Sequence, residues 1–183
     1  QKVLTMTNTA LLIIDLQNDY FAGGAFPLWR AKQVKDQLVE VIKQATECGT
    51  LPIHIQHIAE SRQGLAPFFN QDTIGVNIHP DILKAAPEAP VVVKHYADSF
   101  YQTNLDDILK QHGIKKLLIA GMMTQNCVTH TAISEQAKEY DVEVLTDACT
   151  TVTEMLHLIA LNALAPRVKL LESNQALLSL QSN

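Results

Sequence analysis

The sequence predicts an α/β fold: a doubly wound, three-layer α/β/α domain of Rossmann-like type around a six-stranded, mostly parallel sheet. Three observations predict it. Short β-branched apolar runs alternate with longer stretches whose apolar residues recur at helical spacing, as βαβ units require. The runs are apolar on both faces, which suits strands buried between two helical layers. A chain of 183 residues, 47% hydrophobic and only 18% charged, has the length and apolar content for one continuous core, so a single domain over 1–183 is expected.

The expected strands are Ala10 to Leu16, Leu51 to Ile58, Val91 to Val93, Lys116 to Gly121, Val142 to Asp147 and Arg167 to Leu171. Between the first two, Val34, Leu38, Val41, Ile42 and Ala45 form a 3.6-period stripe that stops at Gly49, with Lys32, Lys35, Asp36, Glu40 and Lys43 on a solvated face. Helices are expected over 105–111, 125–140 and 153–165, the last ended by Pro166, with another from about Ser173. Residues 59–90 contain Pro67, Pro80, Pro87 and Pro90 and little periodicity, and so long a loop in a compact domain reads as a wall or lid over a site.

Fourteen Lys and Arg against 19 Asp and Glu give a net charge of −5. That balance removes the electrostatic footprint of a nucleic-acid or anionic-membrane binder. No basic-then-apolar leader opens the chain, and no run approaches about 18 apolar residues, so neither export nor a membrane span is expected. Cys48, Cys127 and Cys149 are odd in number and lack any CxxC, which fits a reducing cytoplasm. Low charge with high apolar content also leads us to expect a homo-oligomer, a dimer or tetramer.

Ligands of open parallel sheets bind beyond the carboxyl ends of the strands. Asp15 closes the first run, Lys94 follows three valines, and Cys127 lies just past the fourth run, at the start of the expected 125–140 helix. A helix N-terminus and a lysine both favour a thiolate, and a carboxylate can take the thiol proton and return it to a leaving group. The segment GMMTQNCV adds backbone N–H groups near the sulfur for a tetrahedral oxyanion. Phosphate-loop, dinucleotide, metalloprotease and serine-hydrolase motifs are absent.

These segments resemble the isochorismatase-like hydrolases, the cysteine hydrolase superfamily that includes nicotinamidases, carbamoyl-amide hydrolases and isochorismatases. DLQNDYFAGG at 15–24, KHYADSFYQTNL at 94–105 and GMMTQNCVTHTA at 121–132 are similar to its aspartate, lysine and cysteine segments, in matching order. The resemblance extends to DACTT at 147–151 and the stretch around His157. It implies a catalytic triad of Asp15, Lys94 and Cys127, an oxyanion hole from the N–H groups of Met123 and Cys127, and a cis peptide between Met122 and Met123.

Nicotinamidases of the superfamily carry a metal on an Asp-x-His pair, where this chain has Ile55-Gln56-His57, so no metal and no cofactor are expected. His54 and His57, three apart on a strand, should face opposite ways. Isochorismatases cleave a vinyl ether without a nucleophile, so keeping Cys127 favours hydrolysis of a small amide or carbamoyl C–N bond through a thioester. Vinyl-ether hydrolysis, non-catalytic small-molecule binding on the same fold, and a redox thiol pair of Cys127 with Cys149 are the alternatives. Gln17, Tyr20, His57, Tyr96 and Phe100, with Trp29, are candidates to line the substrate pocket, Gln17 also to orient Asp15. Asn18 and Asp19 read as turn formers, and His79, His112 and His157 as structural.

Overall fold

The computed structural model describes residues 7–60 and 64–181. Its strands are β1 (Thr9–Ile14), β2 (Leu51–His57), β3 (Val91–Lys94), β4 (Lys116–Met122), β5 (Asp141–Thr150) and β6 (Lys169–Leu171). The helices are α1 (Ala31–Glu47), α2 (Pro80–Ala85), α3 (Leu105–Gln111), α4 (Thr129–Ala132), α5 (Glu154–Leu164) and α6 (Ser173–Gln181). The strands form one sheet in the order β3-β2-β1-β4-β5-β6, and every pairing is parallel. The order reverses direction at β1 and β4, and the crevice between those strands is where a doubly wound sheet opens a site.

Strand β1 shows why the apolar runs are continuous. Leu11 and Ile13 point into a core shared with α1, α2 and α6, while Ala10, Leu12 and Ile14 point into a second core shared with α3, α4 and α5. Both faces are buried, so a two-residue period needs apolar side chains at every position. At the far end of β4, Gly121 has φ 130°, and a Cβ there would lie 2.1 Å from the Ile14 carbonyl oxygen. Only glycine lets β4 approach β1 this closely just before the segment that carries Cys127.

Four expectations are corrected. The helix expected over 125–140 is broken into a π turn (Thr124–Val128), the four-residue α4 and a 3-10 turn (Gln136–Glu139). Thr and Ser hydroxyls here bond other partners: Thr129 Oγ1 donates to the Thr124 carbonyl, and Ser134 Oγ to Asp98 and Gln136. Such bonds compete with a continuing helix. Lys35, expected on the solvated face of α1, is buried because Asp36 and Asp81 each stand 2.6 Å from its ammonium. Strand β5 runs on to Thr150, past Asp147, with a register shift against β4 between Ile119 and Gly121.

The fourth lies in the 59–90 segment, which contains α2, started by Pro80 and capped by the His79 ring nitrogen accepting the Asp81 N–H. Residues 61–63 of that segment, like 1–6 and 182–183 of the expected domain, lie outside the described residues. The rest is pinned to the loop after β1. Asp19 accepts the N–H groups of Phe69 (2.7 Å) and Ala25 (3.0 Å), and the Asn18 and Asp19 N–H groups donate to the carbonyls of Asn77 and Gly75. Among the described residues no helix is long and apolar enough to cross a membrane.

Candidate active site

Each strand of the half-sheet β3-β2-β1-β4 ends at a residue with chemistry. Asp15 follows β1 in a left-handed conformation, φ 56°, an uncommon state for a non-glycine residue that tends to mark functional turns. His57 ends β2 and Lys94 ends β3, directly paired across the two strands. Cys127 sits on the π turn just after β4. The Met122–Met123 peptide at the start of that turn is cis.

Asp15 and Lys94 are fully buried, and Cys127 is 3% exposed. The Lys94 ammonium lies 3.2 Å from Asp15 Oδ2 and 3.2 Å from Cys127 Sγ. It also lies 2.9 Å from His57 Nδ1 and 3.0 Å from the Tyr96 carbonyl oxygen. Burial alone would lower the lysine's pKa, but the negative charge of Asp15 and the facing sulfur outweigh it, so Lys94 titrates above the usual lysine range. The cation is therefore fixed.

The cysteine behaves differently from the sequence expectation. Burial, then the charge of Asp15, push its thiol well above the ordinary value, and Lys94 only partly offsets them. A π turn followed by a four-residue helix supplies little of the dipole that a long helix would. The resting sulfur is thus a thiol beside a carboxylate. Burial and the neighbouring lysine charge hold the His57 imidazole at about 4, so it is neutral near pH 7. Burial, then the negative charge of Asp15, raises Tyr20.

The other candidates divide. Tyr20 is buried, with Phe69 at 4.5 Å and Phe68 at 5.2 Å between ring centroids, and Phe69 in turn lies 6.0 Å from the His57 ring. Phe68 and Phe69 thus bring part of the 59–90 segment against Tyr20 and His57. Gln17 is committed elsewhere: its amide donates to the carbonyls of His57 (2.8 Å) and Val76 (2.7 Å), and its oxygen accepts the His57 N–H (2.8 Å). It fixes the end of β2 and does not touch the Asp15 carboxylate. Phe100 is buried in the second core near Tyr140, and Trp29 lies by His157. Tyr96 offers its carbonyl, while the residue is 44% exposed and its ring packs edge-on against Tyr101.

Sequence reading missed the pair Thr124 and His157, whose Oγ1 and Nδ1 meet at 2.7 Å and tie the cysteine turn to α5. It also missed Phe68 and Phe69, whose adjacency in an otherwise polar loop was the available signal. Asp15, His57 and Cys127 hold oxygen, nitrogen and sulfur atoms within 4.8 Å of one another, the one such cluster among the described residues. These donors do not fit a metal as they stand, because the Lys94 ammonium already contacts all three. Ile55 is a buried apolar residue, and His54 turns away to the Ala86 carbonyl.

A buried carboxylate, ammonium and thiol thus meet at the carboxyl edge of a doubly wound sheet. The isochorismatase domain family model matches residues 9–175, and the chain belongs to that family of hydrolases. It is 37% identical over 145 residues to the uncharacterized isochorismatase family protein YddQ of Bacillus subtilis, covering 79% of each chain. It is also 29% identical to the nicotinamidase of Escherichia coli, covering 80% of this chain and 85% of that one. The crystal structure of an isochorismatase family protein from Desulfovibrio vulgaris superposes with a TM-score of 0.84 at 26% identity, covering 96% and 99% of the two chains.

Proposed function

We propose that the protein hydrolyses a C–N bond of a small amide or carbamoyl compound, with Cys127 as nucleophile, Asp15 as general base and acid, and Lys94 as the fixed cation. The observation that carries this reading is the ammonium of Lys94 at 3.2 Å from both the carboxylate of Asp15 and the sulfur of Cys127 in a buried site. Asp15 takes the thiol proton, and the sulfur attacks the carbonyl carbon. The N–H groups of Met123 and Cys127 stabilise the oxyanion, where one such donor is worth about 3 kcal/mol.

Collapse of the tetrahedral intermediate breaks the C–N bond, and the proton on Asp15 goes to the departing nitrogen. Water then gives a proton to Asp15 and attacks the thioester, and the acid leaves as the thiol is restored. A relative named as a nicotinamidase supports amide chemistry.

Ammonia release from a panel of small primary amides and carbamoyl compounds tests the reading, with wild type, Cys127→Ala and Cys127→Ser compared. Loss of turnover by at least about a thousandfold in both variants is expected for a deleted nucleophile. Full activity in Cys127→Ala on a substrate that the wild type cleaves would overturn it.

A further inference from the structure

The turn that carries Cys127 is held only weakly by its own backbone. The N–H groups of Asn126 and Val128 share one acceptor, the Met123 carbonyl, at 3.0 and 3.3 Å, and the α4 helix that follows has only four residues. A single π turn and one helical turn have little intrinsic stability in water, so the shape of 123–128 must come from what packs on it. The register pair of Met122 with Thr150 holds the entrance, and the Thr129 hydroxyl donates to the Thr124 carbonyl at 2.6 Å. From outside the 121–132 segment, the His157 ring reaches the Thr124 hydroxyl, with 2.7 Å between Nδ1 and Oγ1 and both residues buried.

We propose that His157 is a positioning residue for the oxyanion: through the Thr124 hydroxyl it fixes the turn on which the Met123 and Cys127 N–H groups meet the reacting carbonyl oxygen. The inference rests on the reading of Cys127 as the nucleophile. Thr124 directly follows Met123 and shares the π turn with Cys127, so a shift at Thr124 moves both donors. Oxyanion donors act at about 2.7–3.1 Å from the oxygen, and a misplacement of about 1 Å costs up to about a hundredfold in rate.

Helix α5 is unusual in what it buries. Met155, Leu158 and Ile159 are exposed, while the inward positions are His157, Ala160 and Leu164. Packing alone would place an apolar side chain at 157, since a buried polar group is favourable only with a partner. Thr124 is that partner. A hydroxyl both donates and accepts, so it bonds Nδ1 in either tautomer of a neutral imidazole, and burial holds this ring below the usual histidine value, hence neutral near pH 7. The histidine is itself well placed: its backbone N–H donates to the Thr153 carbonyl at 3.1 Å, the Thr153 hydroxyl caps the helix by accepting the Leu156 N–H at 3.1 Å, and its ring lies 6.2 Å from that of Trp29. Trp29 in turn is tied to the end of β5, donating its N–H to the Thr151 carbonyl and accepting the Thr150 hydroxyl.

Two reagents for the same sulfur separate positioning from packing. With acetaldehyde, the Cys127 sulfur bonds to the carbonyl carbon, the π electron pair moves to the oxygen and the thiol proton ends there by way of Asp15, giving a hemithioacetal whose oxygen takes the oxyanion position. Iodoacetamide alkylates the sulfur by displacing iodide and builds no such oxygen. The experiment measures, in the full chain near pH 7, the alkylation rate of Cys127 mapped by mass spectrometry and the acetaldehyde concentration that halves it. His157→Leu and Thr124→Val should each raise the half-protecting concentration about tenfold and leave the rate without aldehyde within about twofold of wild type. The double variant should also stand near about tenfold, because both changes break one bond. His157→Asn, whose carboxamide can replace Nδ1, and Thr124→Ser, which keeps the hydroxyl, should return the value toward wild type.

An unchanged half-protecting concentration in His157→Leu and Thr124→Val overturns the proposal. So does a rise of about a hundredfold in the double variant, which would make the two residues independent, or an equal fall in alkylation without aldehyde, the mark of a disturbed site. If His157→Leu does not fold, Thr124→Val against Thr124→Ser makes the same comparison. The wild type tests the underlying reading: if acetaldehyde does not protect Cys127 there, the nucleophile assignment fails and takes the positioning role with it. Protection in the wild type with no change in the variants fails the positioning role alone.

Discussion

Breaking the ion pair between Asp15 and Lys94 should cost more stability than any single surface change, and breaking it from both sides should cost less than the sum. The two groups are 3.2 Å apart and fully buried. At an effective dielectric of about 20, two unit charges at that distance attract by about 5 kcal/mol. Removing one partner of such a buried pair typically costs about 3–5 kcal/mol, because the other charge is left without compensation. Against a total stability of roughly 5–15 kcal/mol, Lys94→Met should unfold far more readily than wild type.

Asp15→Asn should lose a comparable amount, since it strands a buried ammonium. The double variant strands neither charge, and the coupling energy of the cycle should be about 3 kcal/mol or more in its favour. Urea titration at pH 7, followed by fluorescence of the single tryptophan, Trp29, measures all four corners. Turnover provides the contrast: the double variant recovers stability without recovering activity. Additivity within about 0.5 kcal/mol would refute the reasoning, because it would mean that neither charge depends on the other.

Two further outcomes are expected. The His57 imidazole titrates at about 4 in the folded chain against 6.5 unfolded, so its contribution is complete above about pH 6.5 and is lost as the pH falls toward 4. Allowing for partial exposure of the ring, that loss is about 2 kcal/mol, and His57→Asn should lack this share of the acid destabilisation when urea midpoints at pH 7 and pH 4 are compared; equal losses would sink the assignment. In Gly75→Ala the new Cβ would lie 2.0 Å from Asp19 Oδ1, displacing the carboxylate that holds the Phe69 and Ala25 N–H groups. A loss of about 1–3 kcal/mol is expected, with faster proteolysis within 64–79, and an unchanged cleavage pattern would count against Asp19 as the anchor of that segment.

Much of the sheet was legible because its code is local. Strands apolar on both faces must be apolar throughout, and helix α3 falls at the residues that its periodicity marks, Leu105 to Gln111. The convergence of Asp15, Lys94 and Cys127 was legible too, since each follows an expected strand and doubly wound sheets gather strand ends. The pairing of His57 with Lys94 was not, because it depends on the β2–β3 register, and no spacing within either strand fixes that. The broken helix after Cys127 was hidden for a different reason: the Thr and Ser hydroxyls that compete with helical bonding find partners as distant in sequence as Asp98. The buried Lys35 needed Asp81, supplied by a helix that sequence periodicity did not reveal.

The raised thiol explains why the proposed chemistry needs all three residues. Releasing the Cys127 proton to solvent would leave two negative charges facing one ammonium in a buried space, and burial with Asp15 opposes that outcome. Passing the same proton to Asp15 leaves one negative and one positive charge, as before, and merely moves the anion from oxygen to sulfur. Desolvation then penalises the two sides of the step similarly, while Lys94, 3.2 Å from either atom, accompanies the charge across. A thiol that is hard to ionise in bulk terms is therefore compatible with a nucleophile used only when a carbonyl carbon is in place to receive it.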